Sequence, residues 1–94
     1  MITIIALFHV KSECVEKFKA MAKECVEESR KEEGNGSYYL YIGLTDKTKF
    51  FFVENWKDEK AIEKHNASAH FQKFAGAFSP LVSEPPIIEQ TIEI

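Results

Sequence analysis

Basic residues are too few and too dispersed here to build a nucleic-acid surface. One arginine, Arg30, and eleven lysines stand against fifteen acids, for a formal net charge of −3. With the two signs interspersed, no stripe exists to neutralise a phosphate backbone. Long hydrophobic runs are missing too. The N-terminal MITIIALFHVK is apolar but well short of the roughly 20 residues a membrane helix needs, and it lacks a signal peptide's basic leader and small-residue cleavage site. These absences predict a cytoplasmic protein with neither membrane nor nucleic acid among its partners.

Cysteine is scarce and badly placed for a disulfide. Cys14 and Cys25 are expected on one helix, about 16 Å apart at about 1.5 Å per residue, whereas a disulfide needs Cα atoms within about 7 Å. They read as small buried hydrophobes. There is no G-x-G-x-x-G and no C-x-x-C-H, so no nicotinamide, flavin or haem motif is visible and no cofactor is expected. Internal repeats and low-complexity tracts are absent as well.

What is present is aromatic. Eight Phe, three Tyr and one Trp are generous for residues 1–94, which make a single domain. So short a chain buries only about 60–65% of its unfolded surface. Some aromatic area is therefore expected to be covered by a partner or a ligand, and a homodimer is the simplest cover.

Hydrophobic periodicity orders the chain. Residues 2–10 read as a strand covered on both faces. Ser12 is a suitable N-cap for a helix running to about Glu33, with Cys14, Val15, Phe18, Met21, Ala22, Cys25 and Val26 at 3–4 spacing on one side. Gly34-Asn35-Gly36 ends it. Strands over 37–44 and 49–56 form a hairpin across Thr45–Thr48. Asp58 caps a second helix, Asn66-Ala67-Ser68 interrupts it, and Ser68 caps a third segment carrying Phe71, Phe74 and Phe78. After a loop stiffened by Pro80, Pro85 and Pro86, residues 87–94 form a last strand. The order βαββαβ predicts an α+β ferredoxin-like sandwich: a four-stranded antiparallel sheet with helices on one face and a second subunit over the other.

Val53, Glu54 and Trp56 close the third strand and are followed by Lys57, Asp58, Glu59, Ala61, Ile62, His65, Ser68, His70 and Phe71. With the earlier Glu32/Glu33, Gly34–Gly36 and Tyr38/Tyr39 block, this string resembles the antibiotic-biosynthesis monooxygenase (ABM) family over essentially the whole chain. The resemblance implies dimers whose sheets associate into an α/β barrel, each subunit holding a pocket between sheet and helices. It also implies a range of chemistries: cofactor-free quinol and polyketide oxygenases, haem-degrading enzymes, and an isomerase of a phosphorylated sugar.

Several residues are candidates for such a pocket. His65 lies on the Ala61–Ile62 side of its helix and reads either as a core histidine or as a general base, since an unperturbed pKa near 6.5 suits proton transfer at neutral pH. Trp56 is the other catalytic candidate, as an aromatic wall with one N–H donor. Phe50, Phe52 and Glu54 share its strand face. Tyr39, Tyr41, His70 and His9 complete the expected substrate-binding set, with the pocket-facing side of each strand left open. A metal site is not expected. His65 and His70 diverge by about 140° on a continuous helix, and paired helical ligands want i,i+4 spacing; a break near Ser68 could turn the two imidazoles together, but nothing in the sequence supplies a third ligand.

The function expected is a cofactor-independent monooxygenase acting on a small hydrophobic, electron-rich aromatic such as a quinol. The alternatives are an isomerase of a small enolisable carbonyl compound and a non-catalytic dimeric binding protein. The single arginine speaks against a phosphosugar. Haem degradation is disfavoured, because such relatives need a histidine late in the helical region and an asparagine in strand one. Here no histidine follows Phe71 and strand one holds no asparagine.

Overall fold

The computed structural model describes residues 1–94. Its elements are β1 (Ile2–His9), α1 (Val15–Ser29), β2 (Asn35–Ile42), β3 (Lys49–Trp56), α2 (Glu59–Ala67), α3 (Ala69–Ala77) and β4 (Ile87–Thr91). The strands form one antiparallel sheet in the order β2-β3-β1-β4. This is the expected α+β ferredoxin-like βαββαβ fold. No helix is long and apolar enough to cross a membrane.

Strand alternation divides the aromatics. Even-numbered side chains of β1 and β3 (Ile4, Ala6, Phe8, Phe50, Phe52, Glu54 and Trp56) turn toward the helices and are buried. They meet Phe18, Ala22, Cys25 and Val26 of α1 and Phe74 of α3. Phe18 packs with its ring centroid 4.9 Å from Phe50, 5.4 Å from Phe8 and 5.7 Å from Phe74, all tilted or edge-on. The odd-numbered face carries Ile5, Leu7, Phe51 and Val53 beside Tyr39 and Tyr41, which are 47% and 53% exposed. In the single chain nothing covers this apolar face.

The helix boundaries differ from expectation for local reasons. Ser12–Cys14 forms a 3₁₀ turn, Ser12 makes no capping hydrogen bond, and α1 begins at Val15. Cys14 thus sits at the junction and not within α1. The helix ends at Ser29, and a tight turn returns the backbone through Glu32, whose carbonyl accepts from the Asn35 N–H. No glycine takes a positive φ, so the Gly34–Gly36 block does not supply a left-handed cap. Its glycines serve proximity: a Cβ on Gly34 would collide with the Ala61 side chain, so this position lets the turn lie against α2. Gly36 is the extra residue of a bulge at Asn35/Ser37. The two later caps are as expected. Asp58 accepts from the Ala61 N–H at 2.9 Å, and the Ser68 hydroxyl accepts from the Phe71 N–H at 3.2 Å.

Candidate active site

A cavity of about 350 Å³ opens between the sheet and the α2–α3 break. Its floor is Ile4, Ala6, Phe8, Tyr38 and Phe52, its wall is Ile62, Phe71 and Phe74, and Ile88 and Gln90 of β4 stand at one side. Three titratable side chains, His65, Glu54 and Tyr38, reach this mostly apolar space.

His65 is almost wholly buried. Its ring centroid lies 4.5 Å from Trp56, 4.9 Å from Phe71 and 5.6 Å from Tyr38. Nδ1 is 2.7 Å from Oε2 of Glu32. A carboxylate can only accept, so the proton of the neutral ring belongs on Nδ1 and Nε2 is left as a lone-pair acceptor. Nε2 has no hydrogen-bond partner. Burial lowers the pKa of His65 below its usual value, and the Glu32 hydrogen bond opposes that shift without cancelling it. Burial thus favours the neutral ring, whose buried Nε2 is an acceptor without a partner.

Glu54 lies on β3 directly opposite Tyr38 of β2. Its Oε1 accepts the Trp56 indole N–H at 2.9 Å, and the Tyr38 hydroxyl beside it also favours the charged form. Burial outweighs both and raises the Glu54 carboxyl to about 7. Burial and the neighbouring Glu54 likewise push the Tyr38 phenol up, so it stays a donor. Cys25, behind Tyr38, is raised by burial and remains a thiol.

The family model for antibiotic biosynthesis monooxygenase matches residues 1–77. The chain belongs to the ABM family. The Bacillus subtilis (strain 168) relative named "Putative monooxygenase YcnE" is 40% identical over 91 residues, spanning 97% of the ABM chain and 96% of that protein. Among solved structures, a conserved protein from Methanosarcina mazei Go1 is 31% identical with a TM-score of 0.91, over 96% of this chain and 89% of that one. PA3566 from Pseudomonas aeruginosa is 27% identical with a TM-score of 0.92, over 99% and 93%.

In the ABM chain the expected site residues are only partly gathered. Phe52, Glu54 and His65 line the cavity. Trp56 is fully buried, does not line the cavity, and donates its indole N–H to Glu54, which does. Phe50 packs on Phe18, beyond the cavity. Tyr39 and Tyr41 do not reach it, because strand parity turns them to the opposite sheet face; the tyrosine that does is Tyr38. The same parity excludes His9, whose Nδ1 lies 3.3 Å from Oε1 of Glu84. His70 also lies outside, and its Nε2 is 2.8 Å from the same Glu32 oxygen that His65 uses.

The helix bearing His65 and His70 is not continuous, so the divergence does not arise; the third group that the sequence left unidentified is Glu32. Ser68 takes an extended backbone (φ −68°, ψ 152°), which ends α2 and starts α3 in a new direction. The imidazole centroids come within 5.8 Å. Glu32, far away in sequence, closes the group.

Proposed function

We propose that this ABM protein is a cofactor-free monooxygenase of small quinol-type aromatics. The supporting observation is the partnerless Nε2 of a neutral His65, held in one tautomer by Glu32, beside an apolar cavity sized for one or two rings. A quinol placed there gives a hydroxyl proton to Nε2. The resulting anion passes one electron to dioxygen, and the radical pair joins at a ring carbon. The imidazolium returns its proton to the peroxide formed. Loss of water then leaves a quinone bearing one new oxygen, so the substrate supplies every electron. Tyr38 donates to the developing oxyanion, and the apolar wall shields the radical pair.

The test is oxygen uptake with a panel of reduced quinols, counting only the excess over autoxidation, alongside binding read from Trp56 fluorescence. Saturable excess uptake, with one oxygen atom retained in the product, is the expected result. Quinols that bind without any excess uptake overturn the reading. One observation favours a second reading: Glu54, near 7, is a second acid–base group on the same cavity. Two such groups suit proton transfer between neighbouring carbons, so an isomerase would catalyse deuterium exchange into a small carbonyl compound without consuming oxygen.

Homodimerisation through the odd-numbered sheet face is part of the proposal, supported by the exposed apolar residues there. Light scattering at micromolar protein should give twice the chain mass of 10.8 kDa. A monodisperse monomer removes this element.

A further inference from the structure

Glu32, His65 and His70 form a second constellation on the Nδ1 side of the His65 ring; His65 is shared with the cavity, whereas Glu32 and His70 do not line it. We propose that these three side chains bind a borderline divalent transition-metal ion of the Zn(II) or Fe(II) type, through Oε2 of Glu32, Nδ1 of His65 and Nε2 of His70. The donor atoms of the three residues lie within 4.8 Å of one another. Two imidazoles and one carboxylate are the donor set of three-ligand zinc sites and of non-haem iron centres, with the remaining positions left to water.

Three features support the assignment. The convergence is built into the backbone: the Ser68 break turns His70 toward His65, the Ser68 hydroxyl donates to the His65 carbonyl at 2.6 Å, and Gly34 brings the Glu32 turn against α2. No lysine or arginine pairs with Glu32, whose only ion-pair partners are the two imidazoles. The carboxylate charge is therefore not neutralised when both rings are neutral. The site also has an entry path, because the Glu32 and His70 side chains keep 18% and 19% exposure. Lys57, Lys60 and Lys64 share a surface groove with Glu32 and oppose a cation at longer range, so inner-sphere donors, not the general field, must provide affinity. A metal ion on Nδ1 moves the His65 proton to Nε2 and turns the cavity's acceptor into a donor. This consequence would switch off the base; it rests on the function proposed above, whereas binding itself does not.

The test titrates the metal-stripped full chain with Co(II), following its ligand-field absorption, and with Zn(II), following the thermal midpoint; Mg(II) serves as the oxygen-preferring comparison. Saturable 1:1 binding of Co(II) and Zn(II) is expected, with Mg(II) inert. His70→Ala and Glu32→Gln should each weaken binding at least about tenfold, since ligands matter no less than the residues that orient them. His70 is partly exposed, so His70→Ala is the variant that keeps its fold, checked by circular dichroism. His9→Ala should bind as wild type. Absence of saturable binding, wild-type affinity in folded His70→Ala, or loss of binding in His9→Ala overturns the site.

Discussion

His65→Ala is expected to reduce quinol-dependent oxygen uptake by about 10²–10⁴-fold at saturating substrate, the range contributed by a positioned general base. The deficit should lie in turnover more than in affinity, because the apolar walls at Phe52, Phe71 and Phe74 remain. Since His65 is buried, its truncation also leaves a void. The thermal midpoint must therefore be measured beside the rate, and added imidazole should restore part of the turnover if chemistry, not folding, is lost. The pH profile makes the role specific. Burial lowers the His65 pKa, so wild-type uptake should hold through neutrality and fall only at a pH below the ordinary histidine value of about 6.5. Glu32→Gln removes the carboxylate charge that raises that pKa while leaving an amide oxygen that can accept the Nδ1–H. It should move the acid limb further down while lowering turnover about 10–100-fold, as expected for a residue that orients another. A pH-independent loss in both variants would assign His65 to packing. Uptake that survives His65→Ala would leave the reaction in place and its base elsewhere.

The fold was readable because its determinants are local. The 3–4 spacing of Phe18, Ala22, Cys25 and Val26 marks α1, alternation marks β3, and Asp58 and Ser68 are caps that the structure realises with hydrogen bonds. Period-two reasoning also placed Phe52, Glu54 and Trp56 on one face, and all three are buried there. What it lacked was an origin for β2. The Gly36 bulge sets the phase of that strand, so whether Tyr38 or Tyr39 faces inward depends on one extra residue. The Glu32–His65 contact spans 33 positions and follows from where α1 stops, a boundary expected near Glu33 and found at Ser29. With α1 carried on to Glu33, Glu32 would be one more solvated helix residue. His70 illustrates the same limit: a break near Ser68 is legible as a way to turn it toward His65, but the direction of that turn, and Glu32 as the group they share, are not.

Glu54 is expected to make the folded state less stable as the pH rises from about 5 to 8, and Glu54→Gln should remove that loss. Its carboxyl stands at about 7 in the folded chain against 4.5 when unperturbed. The folded state therefore holds a proton that the unfolded state has released between those values, and stability falls with pH across that window. The full cost is reached above about pH 7 and amounts to about 3 kcal/mol, a large share of what so small a domain possesses. His65 acts with the opposite sign. Its lowered pKa contributes stability that is present above about 6.5 and is lost as the pH falls. Urea unfolding at fixed protein concentration, followed by Trp56 fluorescence, separates the two. Wild type and Glu54→Gln should be similar near pH 5, where Gln copies the protonated acid and still accepts the Trp56 N–H. By pH 8 the variant should be more stable by up to about 3 kcal/mol, and its remaining pH dependence should be the acid-side loss due to His65. A difference that does not change with pH would mean that the Glu54 carboxyl is not held near neutrality. If the difference grows as expected, the fold bears a substantial cost to keep this carboxyl on the cavity. A group placed for proton transfer justifies that cost, while a wall residue at the same position would be served equally well by glutamine.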